Sequence, residues 1–421
     1  MTARWTWLGL IAFAAGCRSN PTPAKPADVA AAAVDSIGLA KDLLFLKAEQ
    51  QAPSYRHMDR IFPTRVFRKG TTVYPLPTSV DPMPAVTYQV DGKSLTIDSF
   101  LVRNHVAALL VIHDGKIVTE RYLQGNDETS RWISFSVGKS VTSTLVGAAL
   151  ADGAIRSLDD PVTRYLPGLA GSAYDGVTVK HLLQMSSGVK YNENYKERTA
   201  DINTVVECVA NRSAGCIQQA ARQWTRVGPP GTIYNYNTAE THLLGLVVQA
   251  ATKKTLSDYL SEKIWAPFGM EADGYWILEG ENGPEFAGGG NNMTLRDWGR
   301  FGLFILNGGV AAGKPVLPKN WVRDATTPMS PQVEYGKLYP NFPLGYGYLW
   351  WLYPPAGPGA VPNVDRAFEA EGVFGQNIHL DPKSKLVVVT WSTWPEAAGD
   401  AENRDAIAFM SGLTAAFPPG R

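Results

Sequence analysis

The sequence contains little cysteine and little histidine, and it carries no net charge. It has 3 cysteines and 6 histidines in 421 residues. The histidines show no metal-ligand spacing, so we expect neither a bound metal nor another cofactor. Lysine plus arginine and aspartate plus glutamate both number 39. This balance gives no indication of a nucleic-acid partner or of a polybasic membrane patch.

Long apolar runs are missing after residue 16, so we expect no transmembrane span in the rest of the chain. Before that point, Trp5–Gly16 is uncharged and mostly apolar, and it follows the single positive charge of Arg4. The run is too short to span a bilayer and is typical of a secretory signal peptide. We place this signal peptide at residues 1–16.

The residues after this run predict a lipid anchor. Ala14-Ala15-Gly16-Cys17 resembles a bacterial lipobox, in which the cysteine is lipidated and becomes the mature N-terminus. A plain cleaved signal followed by an incidental cysteine is the alternative. Residues 17–38 begin with a stretch rich in proline, alanine, serine and threonine, which predicts a tether. Because Arg18 rather than aspartate follows Cys17, the resemblance implies a periplasm-exposed outer-membrane lipoprotein, attached to the membrane only by its lipid.

Cys208 and Cys216 are the cysteines that remain after Cys17. An exported, oxidising compartment and an even number of cysteines permit one disulfide that closes a short loop. Two buried thiols are the alternative, because the sequence does not fix the distance between the two Cα atoms.

Two patterns typical of β-hairpins occur near the two ends of residues 39–421, which we predict to form a single domain. In the first, Asp114-Gly115 separates the β-forming runs Val106–Ile112 and Ile117–Leu123, a strong hairpin signal. In the second, a turn separates Gln376–Leu380 from Leu386–Trp391. Hairpins at both ends of a helix-rich middle predict an α/β (α+β) fold with one antiparallel sheet flanked by helices.

Apolar residues recur at helical spacing in several segments. The segment after Ser136 contains no charge between Lys139 and Asp152, so we expect that helix to be buried on most sides. An inserted helical subdomain is predicted at about residues 153–290. The individual predicted helices are Leu39–Gln51 (ending before Pro53), Ser136–Ala151, Asn237–Thr252 and Leu295–Leu306.

Ser136 and Lys139 form a Ser-x-x-Lys element at the start of this buried helix. A spacing of three residues puts both side chains on one helix face, within hydrogen-bond reach. A serine hydroxyl is a weak nucleophile until a base accepts its proton, and burial lowers the pKa of a lysine toward the range where it can be that base. The helix N-terminus adds partial positive charge for a developing oxyanion.

This element and two later segments resemble the class C β-lactamases and their esterase and amidase relatives. Ser136-Val137-Gly138-Lys139 is similar to their nucleophile motif. Residues 178–188 are similar to a structural Thr-x-x-x-Leu-Leu-x-x-x-Ser-Gly stretch of the family, and residues 230–238 are similar to its second active-site segment. The similarity extends from about Val106 to Trp391 with the motifs in order. The resemblance implies the β-lactamase/transpeptidase-like fold.

The resemblance also implies roles for individual residues. Tyr236 takes the place of the catalytic tyrosine, coupled to Lys139, and the backbone N–H groups of Ser136 and Val373 form the oxyanion hole. Lys139 or Tyr236 removes the Ser136 proton, an acyl-enzyme forms, and water completes the reaction. Which of the two is the base stays open, because a coupled pair titrates as a unit.

Two departures from the family pattern bear on the substrate. The family asparagine two residues after the tyrosine is Thr238 here, and the Lys-Thr-Gly motif of β-lactamases is replaced by Ala370-Glu371-Gly372. Glu371 would repel the carboxylate of a β-lactam. Residues 236–241 and 372–376 are most similar to the 6-aminohexanoate-dimer hydrolases and related esterases, which implies hydrolysis of small amides or esters.

Three alternatives remain open: a D-Ala-D-Ala carboxypeptidase, a weak β-lactamase, and a non-catalytic lipoprotein of the cell envelope that binds without turnover. Intact Ser136, Lys139 and Tyr236 argue against the last of these. The expected partner is a small-molecule amide or ester, and the sequence indicates no oligomeric state.

Overall fold

Antiparallel strands form the framework of the computed structural model, which describes residues 37–340, 342–354 and 367–418. The strands are β1 (Thr64–Phe67), β2 (Thr87–Val90), β3 (Lys93–Thr96), β4 (Val106–His113), β5 (Lys116–Tyr122), β6 (Trp132–Ile133), β7 (Gly274–Ile277), β8 (Asn291–Met293), β9 (Val310–Ala311), β10 (Lys314–Pro315), β11 (Gly345–Tyr346), β12 (Trp351–Leu352), β13 (Phe368–Gly372), β14 (Gln376–Asp381) and β15 (Leu386–Ser392).

Helices precede, interrupt and follow these strands. They are α1 (Ala48–Arg56), α2 (Ile97–Arg103), α3 (Val137–Ala151), α4 (Val179–Leu183), α5 (Asp201–Ala210), α6 (Cys216–Ala221), α7 (Thr238–Thr252), α8 (Leu256–Leu260), α9 (Ala266–Phe268), α10 (Leu295–Leu306), α11 (Trp321–Ala325) and α12 (Asp400–Ala416). A π-helical turn, Ser261–Trp265, joins α8 to α9, and 3-10 turns occur at Ala40–Asp42, Met58–Arg60, Val162–Arg164, Pro167–Leu169 and Pro331–Val333.

The largest sheet has seven strands in the order β11-β12-β13-β14-β15-β4-β5, all paired antiparallel. The two predicted hairpins, β4–β5 and β14–β15, are therefore adjacent in this sheet, and both are confirmed. A second sheet, β1-β7-β8-β6, packs beside it. An antiparallel sheet flanked by helices is the α/β (α+β) architecture that the sequence predicted.

Both faces of the large sheet are covered, which explains why β4 is almost uniformly apolar. On one face, Leu109 and Val111 pack with residues of α2 and α12. On the other face, Leu110 and Ile112 join the main core together with α3 and α10. Residues that alternate along a strand point to opposite faces, so one apolar run contributes to two cores.

Helix α10 lies unusually close to the sheet because glycines face it. A Cβ added at Gly299 would lie 2.7 Å from side-chain atoms of Leu110 and Ile112, and one at Gly302 would lie 2.7 Å from Val387. Carbon atoms in contact prefer about 3.5–4.0 Å, so neither position has room for a side chain without a shift of the helix.

The predicted bounds of the later helices agree with the structure, whereas the prediction for Leu39–Gln51 is wrong. A 3-10 turn occupies Ala40–Asp42, and helix α1 begins only at Ala48 and continues through Pro53. Tertiary contacts outweigh the local proline signal here. Tyr55 is fully buried and packs edge-on against Trp132.

Helices fill the range predicted for the inserted subdomain as far as Phe268, and β7 follows. Within it, a disulfide between Cys208 and Cys216 joins α5 to the first residue of α6. None of the helices in the described ranges is both long and apolar enough to cross a bilayer. The predicted signal peptide, Cys17 and most of the tether lie outside the described residues.

Candidate active site

Ser136 stands immediately before α3, where the chain turns sharply from the small sheet into the helix. Its side chain makes no capping hydrogen bond to the helix, so the hydroxyl is available for chemistry. The preceding residue, Phe135, has a φ of 42°, a left-handed conformation that costs a non-glycine residue about 1–3 kcal/mol. Such strain is typical of turns that present a functional side chain.

Lys139 lies one helical turn further on and is almost completely buried, with 1% of its surface exposed. Its Nζ donates to three oxygens: Ser136 Oγ at 2.8 Å, Thr238 Oγ1 at 2.9 Å and the Gly288 carbonyl at 2.7 Å. Burial lowers the pKa of this lysine to about 8. About a tenth of Lys139 is therefore neutral at pH 7 and able to accept a proton, and this fraction rises to about half at pH 8.

Tyr236 completes the group of residues that the sequence predicted. Its side chain interacts with that of Ser136, and Lys139 Nζ lies 5.2 Å from the centre of its ring. Burial, together with the nearby Glu193 carboxylate, raises the pKa of Tyr236 well above its usual value. The structure thus brings Ser136, Lys139 and Tyr236 into mutual contact, with the lysine the easier group to deprotonate.

The segment of residues 178–188 holds the loop that carries Tyr236. Its Met185 carbonyl accepts from the backbone N–H of Asn235 at 2.8 Å, and its Ser186 carbonyl accepts from that of Gly231 at 2.7 Å. The Ser187 hydroxyl donates to Glu240 in the first turn of α7. The segment therefore has a positioning role and contributes no reacting group.

Strand β13 passes close to the nucleophile turn. A Cβ added at Gly372 would lie only 2.6 Å from the Ser134 carbonyl oxygen and 3.1 Å from the Ser136 nitrogen. Among the described residues, the N–H groups of Ser136 and Val373 have no hydrogen-bond acceptor. Two N–H groups that are free to donate, on adjoining segments, are one of the requirements for an oxyanion hole.

A carboxylate behind Lys139 is a site residue that sequence reasoning missed. Thr238 accepts from Lys139 Nζ and donates its hydroxyl to Glu193, whose other oxygen accepts from the Thr238 N–H at 2.9 Å. Tyr195 donates to Glu193 at 2.7 Å. A chain of hydrogen bonds thus connects Lys139 to Glu193 through the threonine that replaces the family asparagine. Glu193 comes from an irregular loop, and no sequence signal marks it.

We expect Glu193 to position and tune Lys139 without contacting the reacting atoms. Its negative charge raises the pKa of Lys139, so Glu193→Gln should lower that pKa and move the acid limb of the kcat/KM–pH profile to lower pH, by about one unit. Glu197→Gln, on the same loop but exposed, is the matched control. An unmoved limb, or one displaced to higher pH, would contradict this role.

One cavity of about 1080 Å³ opens above these residues. Ser136 and Tyr236 line it, and its walls also include Trp351, which stacks on the Tyr236 ring at 5.8 Å between centroids. Glu371 of β13 also lines the cavity. No group of three or more histidine, cysteine, aspartate or glutamate side chains in the described part of the chain could hold a metal ion.

Comparison with known proteins adds to this geometry. The sequence model of the β-lactamase family matches residues 101–410. The chain is 31% identical over 306 residues to a 6-aminohexanoate-dimer hydrolase of Paenarthrobacter ureafaciens, a match that covers 69% of this chain and 73% of the relative.

Solved structures show the same fold. A Bacillus anthracis protein provisionally named a 6-aminohexanoate-dimer hydrolase superimposes with a TM-score of 0.76 at 25% identity, covering 89% of this chain and 96% of its own. A class C β-lactamase superimposes with a TM-score of 0.57 at 16% identity, covering 77% of this chain and 95% of its own. At that identity the second likeness bears on the fold alone.

Proposed function

Because the chain belongs to the β-lactamase family of serine hydrolases, we propose that it hydrolyses small amides or esters through an acyl-enzyme on Ser136. The observation that carries the proposal is the contact between Lys139 Nζ and Ser136 Oγ at 2.8 Å, made by a lysine whose pKa burial lowers to about 8. A nucleophile hydrogen-bonded to a base of matched pKa is the arrangement that acyl transfer requires.

In the first step, Lys139 accepts the Ser136 proton as Oγ attacks the carbonyl carbon of the substrate. The negative charge that develops on the carbonyl oxygen is stabilised by the N–H groups of Ser136 and Val373. Tyr236, whose pKa is raised, keeps its proton and can donate it to the leaving amine or alcohol. The bond to the leaving group then breaks, and the acyl group stays on Ser136.

In the second step, water attacks the ester carbonyl of the acyl-enzyme. Tyr236, which is a phenolate after its donation and lies close to Lys139, accepts a proton from this water. The bond between the acyl carbon and Ser136 Oγ then breaks. Oγ regains a proton from Lys139, and the carboxylic acid leaves. The proton count then balances over the cycle, and the three side chains return to their starting state. The sequence left the identity of the base open; the opposite pKa shifts of Lys139 and Tyr236 favour the lysine.

Esters and amides without a carboxylate suit this site better than β-lactams do. The Glu371 carboxyl lies where β-lactamases have the threonine of Lys-Thr-Gly, and the preceding residue is Ala370 instead of lysine. No cation is therefore offered on this strand to a substrate carboxylate. The 6-aminohexanoate-dimer hydrolase is the named relative at 31% identity, and its activity supports amide hydrolysis as the reaction to test.

A substrate panel tests the proposal. Purified residues 37–421 should hydrolyse p-nitrophenyl esters of short acids and linear amides, while nitrocefin and a D-Ala-D-Ala peptide should be turned over at least about a hundredfold more slowly. Faster turnover of the D-Ala-D-Ala peptide would favour the carboxypeptidase alternative. A folded protein that hydrolyses no member of the panel and takes up no fluorophosphonate would favour the non-catalytic lipoprotein.

We also propose that Cys17 carries a lipid that attaches the enzyme to the bacterial outer membrane, facing the periplasm. The lipobox-like residues before Cys17 support this location. Cys17→Ser should abolish metabolic labelling with palmitate and release the protein from the membrane fraction. Unchanged fractionation of the Cys17→Ser variant would instead indicate a plain cleaved signal peptide or another means of attachment.

A further inference from the structure

A wall of aromatic rings lines the active-site cavity beside Tyr236. Trp351 stacks on the Tyr236 ring, with 14° between the two ring planes. Phe342 meets Trp351 edge-on at 5.4 Å between centroids, and Tyr339 meets Phe342 in the same manner at 5.9 Å. All four residues line the cavity, and together they form what we call the aromatic wall.

Part of this aromatic surface remains uncovered. Tyr339 is 44% exposed although its side chain is large and aromatic, and Phe342 is half-buried. By contrast, tryptophans of the core such as Trp298 are fully buried. Aromatic surface that is open to a concave cavity, beside a few polar groups, is typical of a site for a small ligand. The aromatic wall is therefore available to bind part of a substrate.

The position of the aromatic wall assigns it to the leaving group. In the proposed mechanism, Tyr236 donates a proton to the amine or alcohol that leaves, so the leaving atom comes within hydrogen-bond reach of its hydroxyl. The wall begins at the ring of the same tyrosine and continues through Trp351 to Phe342. A ring that is one or two bonds from the leaving atom is therefore within reach of these side chains.

The aromatic wall favours an aromatic group over a saturated one. Aromatic pairs gain attraction from their quadrupoles in addition to the burial of apolar area, in stacked and in edge-on geometries. The wall contains both geometries, because Trp351 is stacked on Tyr236 and Phe342 stands edge-on to Trp351. An added ring can continue this arrangement, whereas a saturated ring of the same size gains only from burial.

A neutral aromatic group suits the aromatic wall better than a cation does, although cations also bind ring faces. Lys139 Nζ already lies over the Tyr236 ring, 5.2 Å from its centroid. Burial lowers the pKa of this lysine only to about 8, so most of it is positively charged at pH 7. A second positive charge on the wall would be repelled by Lys139.

We propose that the aromatic wall is the subsite for the leaving group and that it selects substrates in which this group carries an aromatic ring. This inference rests on the proposed function and specifies its substrate class: esters of phenols or benzyl-type alcohols, and amides of arylalkyl amines. Tyr339 and Phe342 are the residues of the wall that determine this selectivity without taking part in the proton transfers.

Binding of two small alcohols tests the subsite without relying on turnover. Benzyl alcohol and cyclohexylmethanol are neutral and nearly equal in size, and the saturated alcohol is the more apolar, so burial alone would favour it. Calorimetry on the Ser136→Ala variant of residues 37–421 should show benzyl alcohol binding at least about fivefold more tightly. In the wild type, kcat/KM for benzyl butyrate should exceed that for cyclohexylmethyl butyrate by a similar factor.

Substitutions in the aromatic wall should remove this selectivity. Tyr339→Leu and Phe342→Leu should each reduce the preference for benzyl alcohol to about twofold or less, because leucine keeps apolar volume but has no ring. Phe45→Leu is the matched control. Phe45 lines the same cavity outside the aromatic wall, and its ring packs on the Arg198 guanidinium at 3.9 Å. Its replacement should leave the preference for benzyl alcohol unchanged.

Three results would overturn the subsite. The first is binding of cyclohexylmethanol as tight as that of benzyl alcohol, and the second is a preference that survives both wall substitutions in folded protein. The third is tighter binding of benzylammonium than of benzyl alcohol, which would assign the wall to cations. Failure of the proposed function would instead abolish hydrolysis of both esters and leave the binding preference intact, since binding to the Ser136→Ala variant needs no nucleophile.

Discussion

Replacement of Ser136 by alanine should lower kcat/KM for the best ester substrate by at least about a thousandfold, because no other group can take the place of the nucleophile. The same variant should lose all labelling by a fluorophosphonate. The expected loss is large because Ser136 forms the covalent intermediate. The oxyanion donors and the cavity remain in the variant, but they support only substrate binding. Steady-state kinetics and intact-protein mass spectrometry measure the two effects.

Ser140 provides a matched control on the same helix. It is buried, and its hydroxyl donates to the Leu349 carbonyl at 2.6 Å, so Ser140→Ala removes a serine hydroxyl without touching the proposed machinery. This variant should keep both its activity and its labelling. Equal losses in Ser136→Ala and Ser140→Ala would show that the effect comes from damage to the helix and not from the nucleophile.

Replacement of Lys139 by methionine is expected to have the second-largest effect, a loss of about 10²–10⁴-fold in kcat/KM, the usual contribution of a general base. Methionine keeps much of the buried volume but can neither accept the Ser136 proton nor donate to Thr238 and Gly288. Ser136 should still be present but should react with the fluorophosphonate at a strongly reduced rate. Stopped-flow labelling and steady-state kinetics measure the loss.

The pH dependence provides a separate test of Lys139. Because its pKa is lowered to about 8, the base is protonated and inactive below that pH and neutral above it. Wild-type kcat/KM should therefore rise about tenfold per pH unit up to about pH 8 and then level off. The Lys139→Met variant should lack this limb, and small primary amines added to Lys139→Ala should restore part of the rate. A limb that persists in Lys139→Met would assign the titration to another group.

Local sequence signals were sufficient for the elements with strong short-range patterns. Asp114-Gly115 fixed the position of the β4–β5 hairpin, and the cap Asn237, whose Oδ1 accepts from the Glu240 N–H at 3.2 Å, marked the start of α7. The spacing of Ser136 and Lys139 placed both at the site because one helix carries them. Tyr236 required the family resemblance, since nothing in its own segment distinguishes it from Tyr234.

Features that depend on distant segments could not be predicted. Helix α1 continues through Pro53 because its side chains are buried against other parts of the fold; Gln51, for example, donates to the Trp394 carbonyl at 3.2 Å. Glu193 reaches Thr238 across 45 residues of sequence. Glu371 lies opposite Asn377 only in the observed register of β13 and β14. A slip of one residue would turn the side chains of one strand to the opposite face of the sheet.

The acyl-enzyme on Ser136 is the central claim, and trapping it is the most direct measurement. Wild-type protein would be mixed with a slowly deacylated p-nitrophenyl ester, quenched in acid within one turnover, digested and mapped by mass spectrometry. We predict the added mass of the acyl group on the peptide that contains Ser136, and only there. Turnover of the ester with no acyl group on this peptide, or with the acyl group on another residue, would contradict the account.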